Sequence, residues 1–166
     1  MTLRPLEARD LDAVLDLNQA HVPEVGSLDR DRLTAIVAQA SLAVAATGPG
    51  GELHGFVLVL APGAEYASPN YRWFEERYDD HRYVDRIAVD TGAQGRGTGR
   101  ALYEAVFDHA RAAGSPRVTC EVNVEPPNPV STAFHSSLGF VEVGRQSNYD
   151  GAVTVAFMTA PVLPTR

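Results

Sequence analysis

Gln94-Gly95-Arg96-Gly97-Thr98-Gly99 lies between the short apolar run Ile87-Ala88-Val89 and a helical pattern that begins at Arg100. Three glycines at alternate positions let successive backbone N–H groups turn toward one point with no Cβ in the way. The N-terminus of the following helix adds partial positive charge at the same place. The segment therefore predicts a strand, an anion cradle and a helix in succession.

The surrounding elements follow from periodicity and punctuation. Downstream, Leu102, Ala105, Val106 and Ala110 line one helical face, Tyr103 and Phe107 a neighbouring one, and Gly114 supplies the stop. From Arg117 to Val124, Val118, Cys120, Val122 and Val124 alternate with Thr119, Glu121 and Asn123, the period of a strand. Asn128-Pro129 then offers an N-cap and a first-turn proline for a short helix that runs through Leu138 and stops at Gly139. Phe140 to Gln146 and Ala152 to Thr159 read as a strand pair across Asn148-Tyr149-Asp150-Gly151. Upstream, Thr2 to Arg4 reads as a strand. Leu11, Val14, Leu15 and Leu17 mark a first helix, and Leu33, Ile36, Val37 and Ala40 a second, capped by Asp29 or Ser27. Leu42 to Thr47 and Leu53 to Ala61 form a hairpin across Gly48-Pro49-Gly50-Gly51, and Tyr83 to Val89 is the strand that enters the glycines. This order predicts an α/β (α+β) layer with a mixed, mostly antiparallel sheet, its parallel part at the strand-helix-strand unit around the glycines.

Composition narrows the chemistry. The chain has 166 residues, 45% hydrophobic and 21% charged, which suits a single globular domain over 1–166. A formal charge of −7 opposes nucleic-acid or anionic-membrane binding, since counterion release needs a basic face. Cys120 is the lone cysteine, so neither an internal disulfide nor a cysteine-based zinc cluster forms, and the histidines show no ligand spacing; no metal is expected. The N-terminal residues do not resemble an export signal and no stretch of about 18 apolar residues occurs, so the expected location is cytoplasmic. All 14 basic residues are arginines, which removes Schiff-base chemistry and the P-loop lysine.

The glycine segment then fits neither of two common phosphate motifs. A P-loop needs Gly-Lys, and a dinucleotide fingerprint needs a third glycine where Arg100 or Leu102 stands. Gln94-x-x-Gly97-x-Gly99 instead resembles the acetyl-CoA signature of the GNAT superfamily of N-acyltransferases. A second segment, Asn128-x-x-Ser131-x-x-Phe134-His135-x-x-Leu138-Gly139-Phe140, is similar to the C-terminal motif of that family, and the element order agrees over essentially the whole chain.

The resemblance implies a GNAT fold of about seven strands with a splayed parallel pair and about four flanking helices. It implies that the amides of Gln94, Gly95, Arg96, Gly97, Thr98, Gly99 and Arg100 hold the pyrophosphate of acetyl-CoA, the two arginines adding charge. It further implies that Ile87, Ala88 and Val89 meet the pantetheine arm, with Asn128, Ser131 and His135 beside it. Attack on the thioester by an amine requires a proton acceptor, because an alkylammonium has a pKa near 10. Glu121 and Asp85 are the carboxylates in position. Glu121 either lines the acyl-transfer cleft or faces solvent, and Asp85 serves as base or pairs with Arg86 or Arg82. His135 stands where many members carry a tyrosine that protonates the leaving thiolate; it is either that acid or a hydrogen-bonded helix residue beside the cofactor, with Tyr149 or Tyr83 then supplying the proton.

Pro62 to His81 is long for a strand connection and both aromatic and acidic. Tyr71, Trp73 and Tyr78 are its candidates for an acceptor pocket that draws in an ammonium, and a dimer interface or a surface helix are the competing roles. Three functions remain open: acetyl transfer to a small-molecule amine, to protein N-termini or lysines, or non-catalytic sensing of acyl-CoA. A homodimer is also left open by the resemblance.

Overall fold

In the computed structural model, which describes residues 1–164, one seven-stranded sheet runs through the chain in the order β1-β2-β3-β4-β5-β7-β6. The elements are β1 (Thr2–Pro5), α1 (Leu11–Ala20), α2 (Arg30–Gln39), β2 (Leu42–Thr47), β3 (Leu53–Leu60), α3 (Pro69–Glu75), β4 (Arg82–Val89), α4 (Thr98–Ala112), β5 (Arg117–Glu125), α5 (Pro129–Ser137), β6 (Val141–Asn148) and β7 (Val153–Pro161). Every neighbouring pair is antiparallel except β4 and β5. The mixed sheet predicted from the sequence is present, and among the described residues five α-helices accompany it, the aromatic insert containing α3.

Local chemistry accounts for the ends of the elements. Asp29, not Ser27, caps α2 by accepting from the N–H of Arg32, and Asn128 caps α5 by accepting from that of Ser131. Ser68 caps α3 ahead of Pro69 at its first turn. In the turn between β6 and β7 the Ala152 N–H donates to the Tyr149 carbonyl across Asp150 and Gly151, which take φ of +55° and +86° as the mirror-image hairpin turn requires.

Alternation along the strands divides the core between the two faces of the sheet. Val57, Val59, Val84, Val118, Cys120 and Val122 pack against Leu102, Tyr103, Val106 and Ala110 of α4. On the opposite face Phe56, Leu58 and Ala88 meet α1 and α2, while Leu60, Tyr83, Val155 and Phe157 meet Tyr71 and Phe74 of α3. Each face buries its apolar row beneath helices, so the polar residues of β4 and β5 that stand among these rows need partners inside the protein.

Two irregularities in β4 position the site. Pairing between β4 and β5 stops after Arg82↔Val118 and Tyr83↔Thr119, and beyond these two pairs the strands part. On its other side β4 carries a bulge: Leu58 faces Arg86 and Val59 faces Val84, leaving Asp85 without a partner. A bulge bends its strand and re-aims a side chain. Here it lies at the point where the two strands part.

Candidate active site

The glycine segment folds as a cradle. Gly95 and Gly97 adopt φ of +71° and +84°, the left-handed region that glycine enters at no steric cost. Gly99 is needed for a different reason: a Cβ there would sit 3.1 Å from Cζ of Phe134, so its absence lets α4 approach α5. The turn is braced by the Gln94 amide, which donates to the Val89 carbonyl, and by Thr98, whose hydroxyl donates to that of Ala93. Among the described residues, none of the N–H groups from Gln94 to Arg100 donates to a backbone acceptor, and the first backbone donor after them is Ala101, to Gly97. Arg96 and Arg100 stand exposed at the rim. A row of free donors at the start of a 15-residue helix, flanked by two guanidinium groups, suits a diphosphate.

From the cradle, Val89, Ala88 and Ile87 lead back along the parted edge of β4. Their pairing with Gly55, Phe56 and Val57 occupies one edge of the strand, and the edge toward β5 is free. Asn128 precedes α5, which carries Ser131 and His135 and packs against β5. The Asn128 side chain is used as the helix cap.

His135 is 5% exposed and engaged on both nitrogens. Nδ1 lies 2.7 Å from the Ser131 carbonyl, to which only an N–H can donate, so Nε2 accepts from the Tyr103 hydroxyl at 2.6 Å. Burial pushes its pKa down, with the Ser131 contact opposing. The ring is therefore held neutral with its one proton committed to the backbone. That arrangement matches a hydrogen-bonded helix residue and opposes the acid role.

Glu121 projects from β5 on the α3 face, two residues past the last β4–β5 pair. The Tyr83 hydroxyl lies 2.8 Å from each of its carboxylate oxygens, and the Asn70 amide of α3 donates to Oε1 at 3.1 Å. Burial first, then the charge of Asp85, pushes its pKa up to about 8, against the hydrogen bonds from Tyr83 and Asn70 and the charge of Arg86. A carboxylate tuned this high is a useful proton acceptor near neutral pH. Glu121 lies beneath Asn70 of α3, two residues beyond the last β4–β5 pair, and is partly buried rather than fully open to solvent.

Asp85 is the bulged residue, and its side chain is 3% exposed. It pairs with Nε of Arg86 at 2.7 Å, and Arg86 in turn donates to the Asn18 side chain and the Gly26 carbonyl. The ion pair predicted as an alternative for Asp85 is formed, and it ties β4 to the loop between α1 and α2. Asn123 adds a second tie to that loop by donating to the Pro23 carbonyl.

The aromatic candidates divide by contact. Tyr71 is 2% exposed, its hydroxyl donating to Ala61 and accepting from the Ala64 N–H. Trp73 stacks on Phe157 at 4.2 Å between ring centroids, and Tyr78 lies under the Arg117 guanidinium. These side chains seat α3 on the sheet. The insert contains a helix whose aromatic side chains are used in packing, and α3 also brings Asn70 to Glu121. Asn70 itself, with Asn148 and Gln146 behind it, was missed by sequence reasoning, and no local signal distinguishes these amides from other polar side chains.

A family model described as Acetyltransferase (GNAT) family matches residues 14–140. The mycothiol acetyltransferase of Beutenbergia cavernae is 43% identical over 63 residues, 38% of this chain and 20% of the relative. The [ribosomal protein bS18]-alanine N-acetyltransferase of Escherichia coli strain K12 is 33% identical over 87 residues, 50% of this chain and 57% of the relative. The matches thus span about a fifth and rather more than half of those proteins. Among solved structures, an aminoglycoside 6'-N-acetyltransferase complexed with coenzyme A superposes with a TM-score of 0.74 at 15% identity, covering 100% of this chain and 99% of that one, a likeness of fold.

Proposed function

The chain belongs to the acetyltransferase (GNAT) family, and we propose that it moves an acetyl group from acetyl-CoA to the primary amine of a small molecule or amino acid derivative. The observation that carries the proposal is the alignment of three features: free amides from Gln94 to Arg100, the open edge of β4, and the Glu121 carboxylate at the mouth of the gap. Acetyl-CoA supplies the activated acyl group. The cradle N–H groups and the α4 N-terminus hold its diphosphate, with Arg96 and Arg100 adding charge, and the backbone of Ile87 to Val89 aligns the pantetheine arm.

Glu121 accepts the proton that an ammonium must lose before its nitrogen can attack. Its raised proton affinity, closer to that of an amine than an ordinary carboxylate has, makes the transfer less uphill. Tyr83 and Asn70 orient it, and Asp85, neutralised by Arg86, keeps the loop between α1 and α2 against the site. His135 walls the cofactor side and holds Tyr103.

Two features bear on the acceptor. α3 spans the site by joining Asn70 to Asn148 at the end of β6, which narrows the approach to Glu121 and favours a small amine. The Escherichia coli relative, named for a ribosomal protein alanine, favours a peptide N-terminus. Acetyl-CoA is expected to raise the melting temperature, and Gly97→Glu to abolish that rise; no rise in the parent protein would sink the cofactor assignment. Release of free CoA thiol, followed across a panel of small amines and N-terminal peptides, then decides the acceptor. Silence across the panel despite tight CoA binding would favour a sensor.

A further inference from the structure

Behind Glu121 stands a chain of three amides. Gln146 on β6 donates through Nε2 to Oδ1 of Asn148 at 2.8 Å. Asn148 donates through Nδ2 to Oδ1 of Asn70 at 2.8 Å, and Asn70 donates through Nδ2 to Glu121 at 3.1 Å. The direction is set by chemistry at the end of the chain. Ionised, Glu121 only accepts, so in that form Asn70 presents its NH2 group there, which leaves its oxygen for Asn148, whose own oxygen is then left for Gln146. All three amides donate in the same sense along the chain that ends at the carboxylate.

We propose that Asn70 and Asn148 are positioning residues for Glu121: acting in series, they orient its carboxylate and favour its ionised, proton-accepting form. The alternative, that the amides merely fasten α3, leaves their arrangement unexplained. α3 is already seated by Tyr71 and Phe74 in the core and by Trp73 stacked on Phe157. Asn148 is 8% exposed, so its amide is withdrawn from water for the contact it makes with Asn70. Hydrogen bonds donated to an ionised group are stronger than neutral ones, and aligned amides reinforce each other.

The other groups around Glu121 place this effect in context. From β4, Tyr83 donates to it, Asp85 opposes its ionisation and Arg86 favours it. On the opposite face of the sheet Cys120 and Tyr103 are buried and held protonated. From β7 its partner is Phe157, which carries no charge. Asn70 is thus the contact through which α3 and the end of β6 act on the carboxylate.

The inference rests on Glu121 as base for its catalytic consequence alone, and its test reads the carboxylate directly. In protein labelled with 13C at glutamate side-chain carboxyls, the Glu121 signal is the one lost in Glu121→Gln, and its midpoint is followed by titration. Asn70→Leu is expected to raise that midpoint by about one pH unit. Asn148→Leu should raise it by less in the same direction. Asn148→Asp, which turns the Asn70 amide around by offering it an acceptor, should raise it by more than Asn148→Leu. An unmoved midpoint in Asn70→Leu with an unchanged melting temperature overturns the proposal; if Asn70→Leu does not fold, an unmoved midpoint in both Asn148 variants does so. When the midpoint rises, the acidic limb of the pH–rate profile for acetyl transfer should rise with it. A raised midpoint beside an unmoved rate profile retains Asn70 and Asn148 as positioning residues and removes Glu121 as the base.

Discussion

The Tyr103 hydroxyl lies 2.6 Å from Nε2 of His135, and the two rings meet edge to face at 5.3 Å between centroids. Because Nε2 accepts this bond and Nδ1 donates to Ser131, the folded state favours the neutral imidazole and its pKa lies below the ordinary 6.5. The sign of the linkage follows. Above pH 6.5 the ring is neutral in both folded and unfolded chains and stability is full; below it the unfolded chain binds the extra proton first, and stability falls with pH. His135→Gln, which keeps an acceptor for Tyr103, should lessen the drop in melting temperature between pH 7.5 and 5.5. His81, buried and also depressed, continues to contribute its share. The same variant should keep turnover within about tenfold, whereas loss of a general acid costs roughly 10²–10⁴. A larger loss would return His135 to the acid role.

Glu121 couples activity to stability with the opposite sign. Its folded pKa of about 8 stands above the ordinary 4.5, so between these values the folded chain holds more protons and stability declines as pH rises. Glu121→Gln removes that decline. At pH 7.5 the variant should melt higher, and the gain should vanish below about pH 4.5. Turnover should drop at least about 100-fold. Melts across the pH range and rates at pH 7.5 check both halves, and a variant that is less stable at pH 7.5 would contradict the raised proton affinity.

The Asp85–Arg86 pair predicts a cost that depends on which partner is removed. Both side chains are nearly enclosed, at 3% and 6% exposure, so Arg86→Met leaves an uncompensated buried carboxylate beside Glu121. Loss of one partner of such a pair costs about 3–5 kcal/mol, whereas replacement of both is far milder. Denaturant unfolding should therefore show Asp85→Asn with Arg86→Met to be more stable than Arg86→Met alone. Additive losses would mean that the pair is not coupled.

How much of this was legible in the sequence depends on the range of the contacts. Local signals placed the elements: Asn128-Pro129 and Asp29 cap the helices they announce, and the alternation from Val118 to Val124 puts Glu121 on the face opposite Cys120. The parting of β4 and β5 came through the family resemblance, as no single residue in either strand announces it. α3 had a signal that went unused, since Ser68-Pro69 is a cap with a first-turn proline and Tyr71 and Phe74 follow at helical spacing. What stayed hidden depends on partners far along the chain. Tyr103 fixes His135 from 32 residues away, and Asn148 meets Asn70 from a separation of 78. Periodicity reports which face a residue occupies, and not which element covers that face.

Gly144 sets how closely β6 approaches α3, and it provides a way to disturb the site from outside. A Cβ at this position would lie 2.5 Å from Cζ2 of Trp73. The indole has little room to retreat, being stacked on Phe157 at 4.2 Å and edge-on to Phe74 at 5.2 Å. Gly144→Val should therefore overpack the contact and destabilise the fold by about 1–3 kcal/mol. Because Trp73 and Asn70 share α3, the shift should reach Glu121 while the cradle, between the C-terminal end of β4 and the start of α4, is untouched. The expected result is a lower rate of acetyl transfer at an unchanged affinity for acetyl-CoA, with Trp73→Leu in the same chain restoring part of both stability and rate. Equal loss of rate and of acetyl-CoA affinity would show instead that the strain spreads through the whole sheet.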